Sequence, residues 1–298
     1  MSAKIIDGVA TAARERADCR ERSLAFARKS GRRPGLAVAV VGDDPASAVY
    51  VGRKVAACDQ AGIRSWRRNF PADASEDEVS DTIRAWADDP EVDGILVQLP
   101  LPGHFRIERV LGAIPVEKDV DGFHLYNLGG LVSGGTVFPP CTPYGVMRLL
   151  DSEKIPVAGL NAVVVGASTI VGKPMALMLL QREATVSICH VKTRDLAQYT
   201  ILADLLIVAA GKPGLISGAM VKRGAVVVDV GINRLPNGRI VGDCEFDEVH
   251  ARASFITPVP GGVGPMTVTM LLVNTINSAI KRSRLAGIAE ISSAIAEC

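Results

Sequence analysis

Short apolar runs alternate with segments of helical periodicity along most of the chain. In the first half, apolar runs at 36–41, 65–70 and 94–99 predict buried strands, and helices are predicted between them at about 47–61 and 75–88. The alternation resumes after residue 160 with five further runs: AVVVG, TVSIC, LLIVAAG, AVVVDVG and SFITPVP. Strands that alternate with helices favour parallel, right-handed βαβ units, so the chain is predicted to be an α/β protein.

The ends of the predicted helices carry recognisable signals. After a turn at Gly42 and Pro45, Ser47 is predicted to cap a helix that ends at Gly62. Ser75 and Glu78 have the spacing of a capping box. A long closing helix is predicted from Met266 to about Arg282, with Thr267 as its cap.

The alternation of predicted strands and helices is interrupted at residues 140–159, where Pro and Gly are frequent. A chain of 298 residues is long enough for two domains. We therefore predict a domain boundary and a hinge in this segment.

Composition and charge exclude several classes of protein. Hydrophobic residues make up 48% of the chain and aromatic residues only 4%, as expected for buried parallel sheets of small aliphatic side chains. Because the formal net charge is only +1, the chain is not expected to bind nucleic acid or an anionic membrane. The N-terminal sequence lacks the apolar core of a signal peptide, and no apolar run approaches the ~20 residues of a membrane span. We expect a cytoplasmic protein.

The six cysteines are widely spaced, without a CxxC pair or a cysteine–histidine cluster at zinc spacing. Neither a disulfide framework nor a metal site is predicted. Cys189 falls in a predicted strand and is expected to be a small core residue.

A tyrosine and a lysine follow the first predicted strand. Tyr50 and Lys54 lie four residues apart, so they stack on one face of the predicted helix. A phenol above an amine at the mouth of a strand is suited to proton transfer. From this fragment alone, a solvated lysine beside a half-buried tyrosine is the alternative.

A glycine-containing loop joins the strand at Val163–Val165 to a helical run. Gly166 permits a tight turn, and the free N–H groups at the helix N-terminus would attract a pyrophosphate. Ser168 stands where the usual G-x-G-x-x-G pattern has its middle glycine, and Gly172 is six residues after Gly166. A dinucleotide site and an unliganded strand-to-helix turn are both compatible with this loop.

The next strand ends at Cys189, where NAD enzymes usually place a carboxylate for the ribose hydroxyls. Here Lys192 and Arg194 follow instead, and they favour the 2′-phosphate of NADP. Asp195 qualifies this prediction, because the direction of a loop side chain is not encoded in the sequence.

Two polar residues end or follow predicted strands elsewhere. Gln98 leaves its strand just before Pro100 and Pro102 and could point its amide into a ligand crevice, or lie at the surface of a turn. Asp121 could accept hydrogen bonds from two adjacent N–H donors of a ligand, or cap a turn. Asp119 is the alternative candidate for this contact.

Five segments together resemble one family, the bifunctional methylenetetrahydrofolate dehydrogenase/methenyltetrahydrofolate cyclohydrolases. They are GLAVAVVGDDPASAVYVGRK, DGILVQLPLP, KDVDGFH, VVVGASTIVGKPM and TPVPGGVGPMT. The resemblance runs from Ile5 to about Ile280, with the segments in the family's order. It implies an α/β catalytic domain at 1–143, completed by the C-terminal helix at 268–298, and a Rossmann-like NADP-binding domain at 144–267, with a cleft between them.

The resemblance also implies roles for particular residues. Lys54, Tyr50, Gln98 and Asp121 would be catalytic, with Gln98 hydrogen-bonded to Lys54 and Asp121 anchoring the pterin. The implied substrate-binding residues are Tyr50, Lys54, Gln98, Leu99, Pro100, Asp121, Pro260, Gly261 and Gly262. The implied NADP-binding residues are Gly166, Ala167, Ser168, Gly172, Lys173, Val191, Lys192, Thr193, Arg194, Ala210, Gly211, Gly231 and Ile232. Val191 departs from the family, in which many members have a hydroxyl residue there that reaches the phosphate.

The implied activity has two steps on tetrahydrofolate derivatives. NADP⁺ oxidises 5,10-methylenetetrahydrofolate to the 5,10-methenyl form, which is then hydrolysed to 10-formyltetrahydrofolate. A cationic methenyl substrate would favour the neutral amine of Lys54, which could then act as a base. A homodimer is also implied. The alternatives are a monofunctional dehydrogenase, an enzyme that prefers NAD, and a non-catalytic NADP-binding regulator.

Overall fold

The computed structural model of the chain describes residues 2–43 and 45–296, with the side chains of all of these except 45–50 and 285–296. The strands are β1 (Lys4–Ile5), β2 (Gly35–Val41), β3 (Arg64–Phe70), β4 (Gly94–Val97), β5 (Asn161–Val165), β6 (Thr185–Cys189), β7 (Leu205–Val208), β8 (Val226–Asp229), β9 (Asn233–Arg234), β10 (Ile240–Val241) and β11 (Phe255–Ile256). The helices are α1 (Gly8–Ser30), α2 (Pro45–Ala61), α3 (Glu76–Asp88), α4 (Ile107–Gly112), α5 (Leu125–Ser133), α6 (Cys141–Ser152), α7 (Gly172–Gln181), α8 (Ala197–Thr200), α9 (Phe246–His250) and α10 (Val263–Ala296).

The chain folds into two compact units. The six-stranded unit comprises the chain up to Ala13 together with 131–134 and 140–267. The three-stranded unit comprises 14–130, 135–139 and the chain from Val268 onward. Each unit is built on a parallel sheet, which confirms the predicted α/β class.

The six-stranded unit contains every strand predicted after residue 160. Its strand order is β1-β11-β8-β7-β5-β6, and each neighbouring pair is parallel. Strands β7 and β8 are fully buried, because helices cover both faces of such a sheet. An antiparallel pair, β9 and β10, follows β8 and was not predicted.

The three-stranded unit has the order β3-β2-β4, also parallel. Its central strand, β2, is buried along its whole length, as the apolar run at 36–41 predicts. The carboxyl ends of β2 and β4 therefore lie side by side.

The helix signals were only partly correct. Ser75 caps α3 as predicted, since its Oγ accepts a hydrogen bond from the Glu78 N–H at 3.1 Å. The prediction for Ser47 is wrong, because α2 begins two residues earlier at Pro45, whose fixed φ suits the first position of a helix. The cap assigned to Thr267 is also wrong: α10 begins at Val263, and the Thr267 hydroxyl donates back to the Val263 carbonyl at 3.5 Å.

The predicted boundary segment at 140–159 is largely regular structure. Helix α6 occupies 141–152, with Pro143 in its first turn. Proline is tolerated there because the first N–H groups of a helix have no partner within the helix. The Pro and Gly content of the segment thus fits the start of a helix as well as a hinge, and the hinge stays a prediction.

The apolar helix α10 is mostly buried. Its stretch Val263–Arg284 is long and apolar enough to cross a membrane, but 72% of that apolar window is packed inside the protein. This burial is typical of a core helix rather than a membrane span.

The cysteines of the described part of the chain form no disulfide and are buried. Cys189 is 1% exposed and belongs to the core of the six-stranded unit, as predicted. Burial raises the pKa of the Cys58 and Cys19 thiols to about 12, so these groups stay protonated and unreactive.

A buried carboxylate anchors α10 to the three-stranded sheet. Asp93, which has no exposed surface, accepts hydrogen bonds from Arg32 at 2.7 and 2.8 Å and from Arg282 at 2.8 Å. The Gly35 N–H donates to the same carboxylate at 2.9 Å. We expect Asp93→Ala to lower the free energy of unfolding by about 3–5 kcal/mol, because two guanidinium groups lose their buried partner.

The matched control for this prediction is Asp81→Ala, which removes an exposed ion pair with Arg84 and should cost about 0–1 kcal/mol. Denaturant titration of both variants measures the difference. Equal losses would show that the buried cluster contributes no more than a surface pair.

Candidate active and nucleotide-binding sites

Lys54 and Gln98 meet at the carboxyl ends of β2 and β4. Lys54 lies on α2 and is only 4% exposed, and its Nζ donates to Gln98 Oε1 at 3.0 Å. Gln98 directly follows β4, and its N–H donates to the Ala39 carbonyl of β2 at 2.9 Å. The predicted hydrogen bond between these two side chains is therefore present.

The orientation of the Gln98 amide is fixed from both ends. Its Nε2 donates to the Leu99 carbonyl at 2.7 Å, which leaves Oε1 as the atom that faces Lys54. A neutral amide thus orients the amine without adding a charge. Leu99 is half-buried, Pro100 is exposed, and the peptide bond between them is cis.

The side chain of Tyr50, the fourth member of the predicted catalytic set, lies outside the described residues. Its position on α2, one turn before Lys54, matches the predicted spacing. Its role stays a prediction.

The two aspartates of KDVDG have different environments. Asp119 is 1% exposed, and its carboxylate accepts from the N–H groups of Phe123 and His124 at 3.3 and 2.8 Å and from Asn127 Nδ2 at 2.7 Å. Burial raises the pKa of Asp119 above its ordinary value. Asp119 therefore organises the start of α5, whereas Asp121 is half-buried at the turn before Gly122.

The glycine loop between β5 and α7 has the close approaches that its sequence predicts. A Cβ on Gly166, whose φ is +120°, would lie 2.1 Å from the Ala209 carbonyl oxygen. A Cβ on Gly172 would lie 2.0 Å from the Gly166 carbonyl oxygen. Glycine is required at both positions, because any side chain would push the loop off the strand.

The helix N-terminus in this loop differs from the prediction. Ser168 Oγ accepts from the N–H groups of Val171 and Gly172 at 3.1 and 3.3 Å, and its carbonyl accepts from the Lys173 N–H at 3.0 Å. Ser168 thus supplies acceptors to the N–H groups at the start of α7, which the sequence predicts to be free.

The tip after β6 presents basic side chains to solvent. Lys192 and Arg194 are exposed, and Val191 is 94% exposed. Thr193 Oγ1 accepts from the His190 N–H at 2.9 Å, which fixes the turn. Asp195 Oδ1 accepts from the Ala197 N–H at 3.1 Å at the start of α8, so this acid is engaged by its own helix.

Two buried aspartates, which the sequence did not predict, accept hydrogen bonds from the backbone of the predicted cofactor residues Ala210, Gly211 and Gly231. Asp243 accepts from the N–H groups of Ala210, Gly211 and Lys212 at 2.7, 2.9 and 2.9 Å. Asp229 accepts from the Gly231 N–H at 2.9 Å. An acid at the end of the apolar strand AVVVDVG was the available signal, because a buried carboxylate needs several donors.

The predicted substrate loop Pro260–Gly262 directly precedes α10. The peptide bond before Pro260 is cis, and Gly262 is buried against the Gly8 backbone, since a Cβ on Gly8 would lie 1.8 Å from the Gly262 carbonyl oxygen. Gly8 is thus a close partner of this loop that the sequence reasoning did not identify. Among the residues with described side chains, no cluster of three or more His, Cys, Asp or Glu side chains could hold a metal ion.

Comparison with known proteins identifies the family. Residues 6–121 match the model of the tetrahydrofolate dehydrogenase/cyclohydrolase catalytic domain, and residues 140–283 match that of the NAD(P)-binding domain of the same family. The chain belongs to the tetrahydrofolate dehydrogenase/cyclohydrolase family. This confirms the resemblance inferred from the five sequence segments.

Individual relatives extend this result over nearly the whole chain. The bifunctional protein FolD of Nitrosospira multiformis is 58% identical over 279 residues, covering 94% of this chain and 96% of that protein. The crystal structure of FolD from Campylobacter jejuni has a TM-score of 0.92 at 49% identity, covering 94% and 100% of the two chains. FolD from Trypanosoma brucei, determined with NADP and an inhibitor, has a TM-score of 0.92 at 36% identity, covering 95% and 99%.

Proposed function

We propose that the protein oxidises 5,10-methylenetetrahydrofolate with NADP⁺ to the 5,10-methenyl form and then hydrolyses this product to 10-formyltetrahydrofolate. Both domains of the family are present, and relatives over 50% identical across nearly the full chain are bifunctional FolD proteins. The observation that carries the proposal is the hydrogen bond from the buried Lys54 amine to Gln98. It is the arrangement expected of a positioned base.

Lys54 serves the hydrolytic step in this proposal. Water attacks the methenyl carbon, the new C–O bond forms, and the proton lost by the water passes to the Lys54 amine. The hydroxyl then loses its proton as the C=O bond forms, the C–N5 bond breaks and N5 takes up a proton, which leaves the formyl group on N10. Gln98 holds the amine in place, and Asp121 anchors the pterin through its N–H and amino groups. Tyr50, Leu99, Pro100 and the loop Pro260–Gly262 complete the proposed substrate contacts.

Hydride transfer needs alignment of two rings more than acid or base assistance. NADP⁺, when bound, accepts the hydride from the methylene carbon. The residues present fit this cofactor, because Gly166 and Gly172 allow the close backbone packing of a strand–loop–helix turn and basic side chains follow β6. The residues around the phosphates would be Gly166, Ala167, Ser168, Gly172 and Lys173. The Lys173 side chain would be the charged donor, because the N–H groups of Gly172 and Lys173 already bond to Ser168. The tip at 191–194 would meet the 2′-phosphate, and Ala210, Gly211, Gly231 and Ile232 would line the remainder.

The family resemblance also supports a cytoplasmic homodimer without nucleic-acid or membrane partners. Light scattering should give a mass near twice the 31.4 kDa of the chain. A mass of one chain at micromolar concentration would contradict the dimer.

Mixing the protein with 5,10-methylenetetrahydrofolate and NADP⁺ tests the proposed activity. NADPH should appear together with 10-formyltetrahydrofolate. A regulator would bind NADP⁺ without forming NADPH, and a monofunctional dehydrogenase would form NADPH but release the methenyl compound. Either result would refute the bifunctional proposal.

Cofactor preference provides a second prediction. Changing both Lys192 and Arg194 to alanine should weaken NADP⁺ binding by about ten- to hundredfold and leave NAD⁺ binding unchanged, because hydrogen bonds to a charged group are worth ~1.5–3 kcal/mol. Titration of both nucleotides measures the effect. The control changes Lys222 and Arg223, which precede β8 at the opposite end of the sheet. Unchanged NADP⁺ affinity would move the phosphate contact elsewhere, with Lys173 as the next candidate.

A further inference from the structure

A buried polar cluster lies beneath two of the proposed cofactor segments in the six-stranded unit. We call Asp229, Asn233, Asp243 and Thr257 the aspartate cluster. Asp243 and Thr257 have no exposed surface and Asp229 is 4% exposed. Two adjacent buried carboxylates are costly unless each accepts several hydrogen bonds, so their environment indicates what they are for.

Asp243 binds one backbone segment along its length. Its Oδ2 accepts from the N–H groups of Ala210 and Gly211, and its Oδ1 accepts from Lys212 N–H and from Asn233 Nδ2 at 2.7 Å. Three successive N–H groups around one carboxylate form a concave anion site, here filled by the protein itself.

Asp229 binds the neighbouring segments and Asp243 itself. Its carboxylate accepts from the N–H groups of Gly231, Asp243 and Cys244 at 2.9, 3.0 and 2.9 Å. The Asp229 N–H donates to Thr257 Oγ1 at 2.8 Å. Burial raises the pKa of Asp229 above its ordinary value, and the three N–H donors oppose that shift.

Peptide geometry then determines what the bound segment presents. In a trans peptide the carbonyl points opposite to the N–H of the next residue, so the carbonyls of Ala209, Ala210 and Gly211 point away from Asp243. The Ala209 carbonyl oxygen lies against Gly166 of the glycine loop, where an added Cβ would be 2.1 Å away. The Ala209 carbonyl therefore faces the glycine loop, and the carbonyls of Ala210 and Gly211 are directed away from Asp243.

We propose that Asp243, held by Asp229, is a positioning residue for NADP⁺: it directs the carbonyls of Ala210 and Gly211 toward hydroxyl or amide donors of the dinucleotide. This inference rests on the proposed cofactor site. It extends that site because neither aspartate is among the residues proposed to contact the cofactor. Gly231 is part of the same arrangement, since a Cβ there would lie 2.3 Å from Asp243 Oδ1.

The variant Asp243→Asn tests the proposal, because an amide keeps one acceptor oxygen and turns an NH₂ group toward N–H donors. We expect the KM for NADP⁺ in the dehydrogenase reaction to rise by about ten- to hundredfold, as for a lost hydrogen bond to a charged group. Cyclohydrolase activity on preformed 5,10-methenyltetrahydrofolate, which uses no NADP⁺, should stay within about threefold of the wild type. Asp247→Asn, an exposed acid on α9, should change neither.

The double variant Asn233→Asp/Asp243→Asn provides a rescue test. The exchange restores a donor–acceptor pair between positions 233 and 243 and leaves one oxygen for Ala210 and Gly211, while the Lys212 N–H and the Gly242 carbonyl lose their partners. The KM for NADP⁺ should therefore fall below that of Asp243→Asn without reaching the wild-type value, while Asn233→Asp alone should raise it, because two carboxylates then face each other.

The outcomes separate this inference from the proposed function. If the wild-type protein does not bind NADPH in a fluorescence titration, the cofactor site itself is refuted. If the wild-type protein binds NADPH and the KM of Asp243→Asn for NADP⁺ is unchanged, only the positioning role is overturned. If Asp243→Asn does not fold, Asn233→Ala removes one donor to Asp243 and should still raise the KM for NADP⁺ with cyclohydrolase activity intact. An unchanged KM there would also overturn the role.

Discussion

Lys54→Gln is expected to lower cyclohydrolase activity by about 10²–10⁴-fold, the loss typical of a removed general base. Dehydrogenase activity should survive to a larger extent, because hydride transfer depends mainly on alignment and the glutamine still fills the buried site. The methenyl intermediate would then accumulate and leave the enzyme, where its own absorbance reports it.

The neighbouring Arg53→Gln variant is the matched control. Arg53 is exposed on the same helix, so removing its charge should leave both activities near the wild-type level. Equal loss of both activities in Lys54→Gln, with folate binding intact, would show that Lys54 organises the shared substrate geometry. Its assignment as the base of the hydrolytic step would then be wrong.

Asp121→Ala is expected to weaken folate binding and both activities, because a pterin N–H and amino group would lose a charged acceptor. Leaving one partner of a buried charged pair unmatched costs about 2–5 kcal/mol, which corresponds to roughly 30- to several-thousand-fold in the dissociation constant. NADP⁺ affinity should stay near normal, since the proposed nucleotide residues belong to the other unit. Calorimetric titration with each ligand measures the two affinities.

Asp119→Ala provides the contrast within the same segment. Asp119 holds three donors of the 123–127 turn, so its loss should lower the melting temperature as well as activity. Unchanged folate affinity in Asp121→Ala would transfer the pterin contact to Asp119 or to a backbone group.

The strand pattern could be predicted from the sequence because buried parallel strands are short, continuous apolar runs. Every predicted run, from 36–41 to SFITPVP, contains a strand. Helix starts were less accurate, since the sequence predicts a turn at Pro45 although proline is favoured in the first turn of a helix. The two-residue strand β1 has no apolar run to reveal it.

Only part of the site could be predicted. Lys54 and Gln98 lie 44 positions apart in the sequence, and their hydrogen bond is predicted by the family resemblance rather than by periodicity. In the aspartate cluster, Asp229 and Asp243 lie 14 positions apart, on either side of the β9–β10 pair, and no local sequence pattern predicts their contact. The sequence pattern shows Ser168 only as a substitute for the middle glycine. The structure shows that its hydroxyl accepts hydrogen bonds from two N–H groups at the start of α7.

The ratio of cyclohydrolase to dehydrogenase activity, measured on single preparations of Lys54→Gln and Asp243→Asn at subsaturating NADP⁺, separates the two proposed roles. If the Lys54–Gln98 pair serves hydrolysis and the aspartate cluster positions NADP⁺, the ratio falls by at least about tenfold in Lys54→Gln and rises by about tenfold in Asp243→Asn. A ratio that moves in the same direction in both variants, or stays at the wild-type value, would contradict this division of roles.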